Sequence, residues 1–138
     1  MLGIPTRKPR ASSTLEQSFD RFAKLAKLPA HKAEYRFAAE HVGPGTGLRE
    51  RLREAGLQDW RFDRAWVREK VFVELEGGVW NSGRHTRGAG YTSDCSKYNA
   101  ATLLGWRGLR FTTDMLKANP IGCMEKIKML LVRKEGKA

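Results

Sequence analysis

Cysteine, histidine, acidic side chains and long apolar runs are all scarce in this 138-residue sequence. Two cysteines, Cys95 and Cys123, are too few for the disulfide framework of a small secreted domain. None of the three histidines, His31, His41 and His85, stands at metal-ligand spacing from them, so the cysteines read as reduced thiols rather than zinc ligands. No uninterrupted apolar run approaches bilayer thickness, and the start M-L-G-I-P-T-R-K-P-R lacks the apolar centre of a secretory signal. The expectation is a cytoplasmic protein with no membrane partner. Fifteen Asp and Glu against twenty-six Lys and Arg leave a formal charge of +11. That excess predicts a polyanionic partner, because each basic side chain near a phosphate releases a condensed counterion, although charge alone does not separate DNA from RNA.

What is present suits one domain with a proper core, at 41% hydrophobic and 30% charged residues. Residues 1–13, basic, Ser-rich and without periodicity, read as a flexible arm, and 14–138 as a single domain. Leu15, Phe19, Phe22, Leu25 and Leu28 recur at helical spacing, with Ser13 or Thr14 as cap and Pro29 near the stop. A second helix is expected from about His31 to Val42, a loop over Gly43 to Gly47, and a short helix from Leu48 to Ala55.

The period then becomes alternating. Trp60, Phe62 and Trp66 are expected on one side of a strand and Asp63 on the other. Val71 to Glu76 reads as the antiparallel partner strand, with Val71, Val73 and Leu75 facing one way and Phe72, Glu74 and Glu76 the other. Gly77 to Gly90 is a Gly-, Arg- and His-rich loop able to approach a ligand closely. A helix from Ser93 to Leu104, with Cys95, Tyr98 and Thr102 on one face, a strand from Trp106 to Thr112 and a last helix from Asn119 and Pro120 to Leu131 complete the chain. The order predicts an α/β fold, a small mixed β-sheet flanked by helices.

Glu74 and Glu76 emerge on the same face of a strand and would repel if dry and unpaired. Asp63 can come opposite them across the hairpin. A divalent cation with oxygen ligands, Mg²⁺ or Mn²⁺, would offset that cost. Equally open is a solvent-facing surface with Arg61, Arg64 and Lys70 as ion-pair partners.

In order, F-D-R-A-W, V-F-V-E-L-E-G-G-V-W and G-W-R-G-L-R-F-T resemble the PD-(D/E)XK nucleases, in particular the branch of very-short-patch-repair endonucleases and their small phage and bacterial relatives. The likeness spans Phe62 to Thr112. It implies a restriction-endonuclease-like core with a helical N-terminal region, and metal-dependent hydrolysis of DNA phosphodiester bonds. It makes Asp63 the bridging metal ligand, Glu74 the second acidic ligand and the carbonyl of Leu75 a third. Glu76 stands where most of the superfamily has Lys. Lys97 is the candidate replacement, stabilising charge on the phosphate, with an intrahelical pair to Asp94 as the competing assignment. An upstream helical Glu joins the site in other members; Glu40, Glu50 and Glu54 are candidates, with ordinary helix-surface ion pairs as the alternative.

His85 is a candidate for proton transfer or phosphate binding. Arg84, Arg87, Arg107 and Arg110 are candidates for flanking phosphates, and Trp80 for stacking at distorted DNA or for a rim position. Branched or mismatched DNA is the expected substrate class. Junction resolution would require a homodimer with two symmetric sites, for which the sequence displays no face. A non-catalytic nucleic-acid-binding protein on a nuclease-like fold is the rival expectation, and an interaction protein with an incidental basic surface is a third.

Overall fold

The computed structural model describes residues 13–77 and 88–132. The basic arm expected over residues 1–13 lies, but for Ser13, outside them. Helix α1 (Thr14–Leu25) begins with a reciprocal cap: Glu16 N–H donates to Ser13 Oγ at 3.1 Å, and Ser13 N–H donates to Glu16 Oε1 at 3.0 Å. Its Phe19 and Ala23 are buried.

The helix expected from His31 to Val42 is not one element. Strand β1 (Lys32–Tyr35) comes first and the short helix α2 (Phe37–Val42) follows. β1 is an edge strand, its conformation imposed by pairing Lys32, Ala33 and Tyr35 with Ala65, Arg64 and Phe62. Tertiary pairing overrides the helical preference of K-A-E-Y-R-F-A-A. The loop to helix α3 (Leu48–Glu54) is tied down by Arg51, whose guanidinium donates to the carbonyls of Val42, Gly43, Gly45 and Thr46.

Strands β2 (Phe62–Trp66) and β3 (Val71–Glu76) form the expected antiparallel hairpin. Helix α4 (Ala89–Leu103) leads to β4 (Arg107–Thr112), which lies parallel to β3. The four-stranded sheet has the order β1-β2-β3-β4 and is therefore mixed. Helices α5 (Thr113–Ala118) and α6 (Pro120–Val132) follow. α5 is unforeseen from the sequence pattern. It is capped by Thr112, whose hydroxyl accepts the Met115 N–H.

Helices cover both faces of the sheet. On one, Phe19, Leu116, Met124 and Ile127 pack against Trp66, Val71, Val73 and Phe111. On the other, Phe37, Leu52, Ala101 and Trp106 enclose Phe62 and Phe72. Phe72 lies so close over Gly108 that a Cβ there would stand 2.2 Å from its ring. The architecture is a small mixed sheet flanked by helices and matches a restriction-endonuclease-like core. No helix among the described residues is long and apolar enough to cross a membrane.

Two further expectations are corrected. α4 starts at Ala89, before Ser93, and buries Ala101 while Cys95 and Thr102 are exposed, because Ala101 is the residue that fits beside Phe72 and Trp106. Strict alternation also fails in β2. Trp66 belongs to the first core, but Phe62 joins the second, stacked between Phe37 and Phe72 with centroids 4.1 Å from each.

Candidate metal centre

The break in alternation falls at Asp63. Ladder pairing between β2 and β3 runs from Trp66↔Val71 to Arg64↔Val73. One step further, side chains replace the ladder: Asp63 N–H donates to Glu74 Oε2 at 2.8 Å, and Leu75 N–H donates to Asp63 Oδ2 at 2.7 Å. The strands part by the width of two carboxylates. Neither of these backbone donors is left orphaned by the parting, since each gains a carboxyl oxygen as acceptor.

Into this parting come two acids that the sequence pattern did not single out. Glu16 from the first turn of α1 and Glu34 from β1 each bring a carboxylate oxygen within 4.8 Å of one on Asp63 and of each other, all three residues half-buried. Glu34 has φ of +52°, a left-handed conformation that costs a non-glycine residue about 1 kcal/mol. Such strain is found where a side chain must be aimed. The upstream candidates Glu40, Glu50 and Glu54 are exposed on α2 and α3, and Glu50 pairs with Arg53. The S-T-L-E capping signature was the available signal for Glu16; Glu34 had none, because its strand reads as helix.

The acids around Asp63 each have a basic partner. Arg64, 1% exposed, places a nitrogen 3.4 Å from Glu16 Oε2, forks onto Asp20 at 2.8 and 2.9 Å, and donates to the Asp63 carbonyl at 2.7 Å. Arg61 pairs with Glu34 at 3.1 Å, and Lys97 from α4 pairs with Glu74. Among the described residues no Lys or Arg pairs directly with Asp63. Burial, then the neighbouring Glu74 and Glu34, push its carboxyl up to about 6, against the Leu75 N–H and the field of Lys97. A divalent cation suits this donor set: three carboxylate oxygens, hard ligands, converge where one acid resists ionising alone.

Glu74, 5% exposed, faces the other way. Its Oε1 accepts from Lys97 Nζ and, at 2.9 Å, from the Tyr98 hydroxyl, while its Oε2 holds the Asp63 N–H. Lys97 therefore reaches the β-hairpin acids. Glu76 receives Arg110 Nε at 3.1 Å, and the Arg110 guanidinium lies 4.6 Å from the centre of the Tyr98 ring. Arg107, expected at a phosphate, donates to the Glu69 carbonyl at 3.4 Å, with its other guanidinium nitrogens enclosed near the start of β4. Leu75 presents its N–H to Asp63. Trp80, Arg84, His85 and Arg87 lie outside the described residues.

No protein-family model, curated protein or solved structure matches this chain.

Proposed function

We propose that the protein is a metal-dependent endodeoxyribonuclease that hydrolyses phosphodiester bonds, acting on branched or mismatched DNA in the cytoplasm. The observation that carries the reading is the convergence of Glu16, Glu34 and Asp63 beside the pair of half-buried Lys97 and buried Glu74. Asp63, Glu16 and Glu34 would hold the ion, with Glu74 and the Leu75 carbonyl as adjoining donors. When bound, Mg²⁺ or Mn²⁺ supplies Lewis-acid stabilisation of a phosphoryl oxygen and lowers the pKa of a water.

The chain's own residues would do the rest. Lys97, the nearest cation to the cluster on α4, would turn its ammonium toward a non-bridging phosphate oxygen and stabilise the charge that builds there. Arg110, half-exposed and braced by Glu76, would hold a flanking phosphate, as would Arg84 and Arg87, whereas the enclosed guanidinium of Arg107 would serve the fold. His85 is proposed for proton transfer and Trp80 for stacking on distorted DNA. Junction cutting would use a homodimer to bring two such sites to one substrate.

Incubation of supercoiled, linear and four-way-junction DNA with protein and Mg²⁺ or Mn²⁺ tests this. Wild type should cut at least one substrate, and Asp63→Ala and Glu34→Ala should cut none. If wild type leaves all three intact with both ions, the enzyme reading fails. The second reading, a nucleic-acid-binding protein without catalysis, is favoured by one observation: both oxygens of Glu74 are already taken by protein donors. It predicts junction binding that is indifferent to EDTA.

A further inference from the structure

We propose that Tyr98 is a positioning residue of the metal centre, holding Glu74, and through it Asp63, in place while Lys97 turns toward the substrate phosphate. Resting on the nuclease reading above, it assigns separate roles to two adjacent residues that share one acceptor oxygen.

A continuous set of hydrogen bonds crosses from α4 to β2. The Tyr98 hydroxyl donates to Glu74 Oε1 at 2.9 Å; the Asp63 N–H donates to Glu74 Oε2 at 2.8 Å; the Leu75 N–H donates to Asp63 Oδ2 at 2.7 Å. Glu74 is thus the hinge pin of the parted strands, fixing the backbone of the acid shared by both sides of the cluster. Its own orientation depends on what holds Oε1.

Two donors hold that oxygen, and they differ in freedom. Lys97 is an ammonium on a four-carbon stem, able to swing by rotation of its own side chain. Tyr98 has two rotatable bonds and a ring with two packed neighbours. Phe72 lies 6.0 Å away at 17° to it, and the Arg110 guanidinium sits 4.6 Å from its centre. Glu76 in turn anchors Arg110, so the acid at the usual lysine position has a role of its own, bracing the ring that braces Glu74. The phenol O–H is the donor of this bond and the Glu74 oxygen its acceptor. When the lysine leaves, Tyr98 is the donor that remains.

Tyr98→Phe removes the hydroxyl and keeps the ring. Outer partners of metal-binding carboxylates are worth about 10- to 100-fold in affinity or activity, so Mn²⁺ titrated into the full chain and followed by the electron paramagnetic resonance of the free ion should bind at least about tenfold more weakly. Near-ultraviolet circular dichroism should be unchanged. At saturating Mg²⁺, kcat on junction DNA should fall with KM for DNA held. Combined with Lys97→Met, the loss of Mn²⁺ affinity should depart from the product of the two single effects, because both donors converge on one oxygen.

Wild-type Mn²⁺ affinity in Tyr98→Phe, or strictly multiplicative effects in the double variant, would overturn the assignment. The two failures are separable. If wild type itself binds no Mn²⁺, the metal-centre reading is wrong and Tyr98 falls with it. If wild type binds Mn²⁺, Asp63→Asn abolishes binding and Tyr98→Phe does not weaken it, the centre stands and only the role of Tyr98 is lost.

Discussion

Asp63→Asn should make the metal-free protein more stable at neutral pH, and should do so only there. Among the described residues, Asp63 is the one of the four acids at the parted strands whose charge rests on a backbone N–H and the field of Lys97 rather than on a paired base. Its pKa rises from an ordinary 3.8 to about 6, first through burial and then through Glu74. Between those values the folded state keeps a proton that the unfolded chain has released. Stability from this group is therefore fully present below about pH 4 and lost as pH rises through about 6. The full shift would be worth about 3 kcal/mol at 1.36 per unit, and water at the half-buried carboxyl reduces this to about 2.

Asparagine is neutral at every pH and its side-chain oxygen can still accept the Leu75 N–H. Thermal unfolding in EDTA should show Asp63→Asn ahead of wild type by about 6–10 °C at pH 7.5, and level with it at pH 4. Mg²⁺ at a hundred times its Kd should raise wild-type stability by about 2.7 kcal/mol at pH 7.5, and should leave the variant unmoved. An asparagine variant less stable than wild type at pH 7.5 in EDTA would refute the reasoning. So would a difference that does not vary with pH.

Lys97→Met should lower the cleavage rate at saturating Mg²⁺ by about 10²-fold, with DNA affinity by fluorescence anisotropy changed less than about twofold. An unchanged rate would remove Lys97 from the chemistry. Gly108→Ala should cost about 3 kcal/mol in urea unfolding, because its Cβ would stand 2.2 Å from the Phe72 ring, which the second core holds in place. Gly122→Ala, whose Cβ meets the end of the Asn119 side chain at 2.3 Å, should cost only about 1 kcal/mol, since that amide can swing away from the Gly122 N–H it caps. Arg64→Met should destabilise by about 1–3 kcal/mol, as it removes the buried guanidinium that Asp20 and Glu16 share, and adding Asp20→Asn should recover part of that loss.

The hairpin was legible because V-F-V-E-L-E alternates over a strand's length and a short polar turn precedes it, and these are local signals. From the same alternation Glu74 could be set on the face of β3 away from Val73, where α4 brings Lys97 and Tyr98. What was illegible is non-local. β1 is a strand only because β2 lies beside it, and the positive φ falls at Glu34, the residue of β1 that the ladder skips. Phe62 crosses to the second core because Asp63 and Glu74 exchange the ladder for side-chain bonds, a choice no periodicity encodes. Glu16 announces itself as a cap, yet its nearness to Asp63 depends on Arg64, which grips α1 through Asp20, 44 residues away in sequence.

Excess positive charge thereby acquires a structural use. Residues 16, 34, 63 and 74 come from α1, β1, β2 and β3, and four carboxylates drawn from four elements would repel one another if unaccompanied. Arg64, shared with Asp20, pairs with Glu16, Arg61 with Glu34 and Lys97 with Glu74, each from within or beside the sheet. The remaining acid, Asp63, is pushed up to about 6 and is the member without a base of its own among the described residues. Among the described residues the acids outnumber the bases that pair with them before any ion arrives, the more so because Arg64 also serves Asp20. That shortfall, located on Asp63, is why removing its carboxylate should stabilise the empty protein and abolish metal binding in the same substitution.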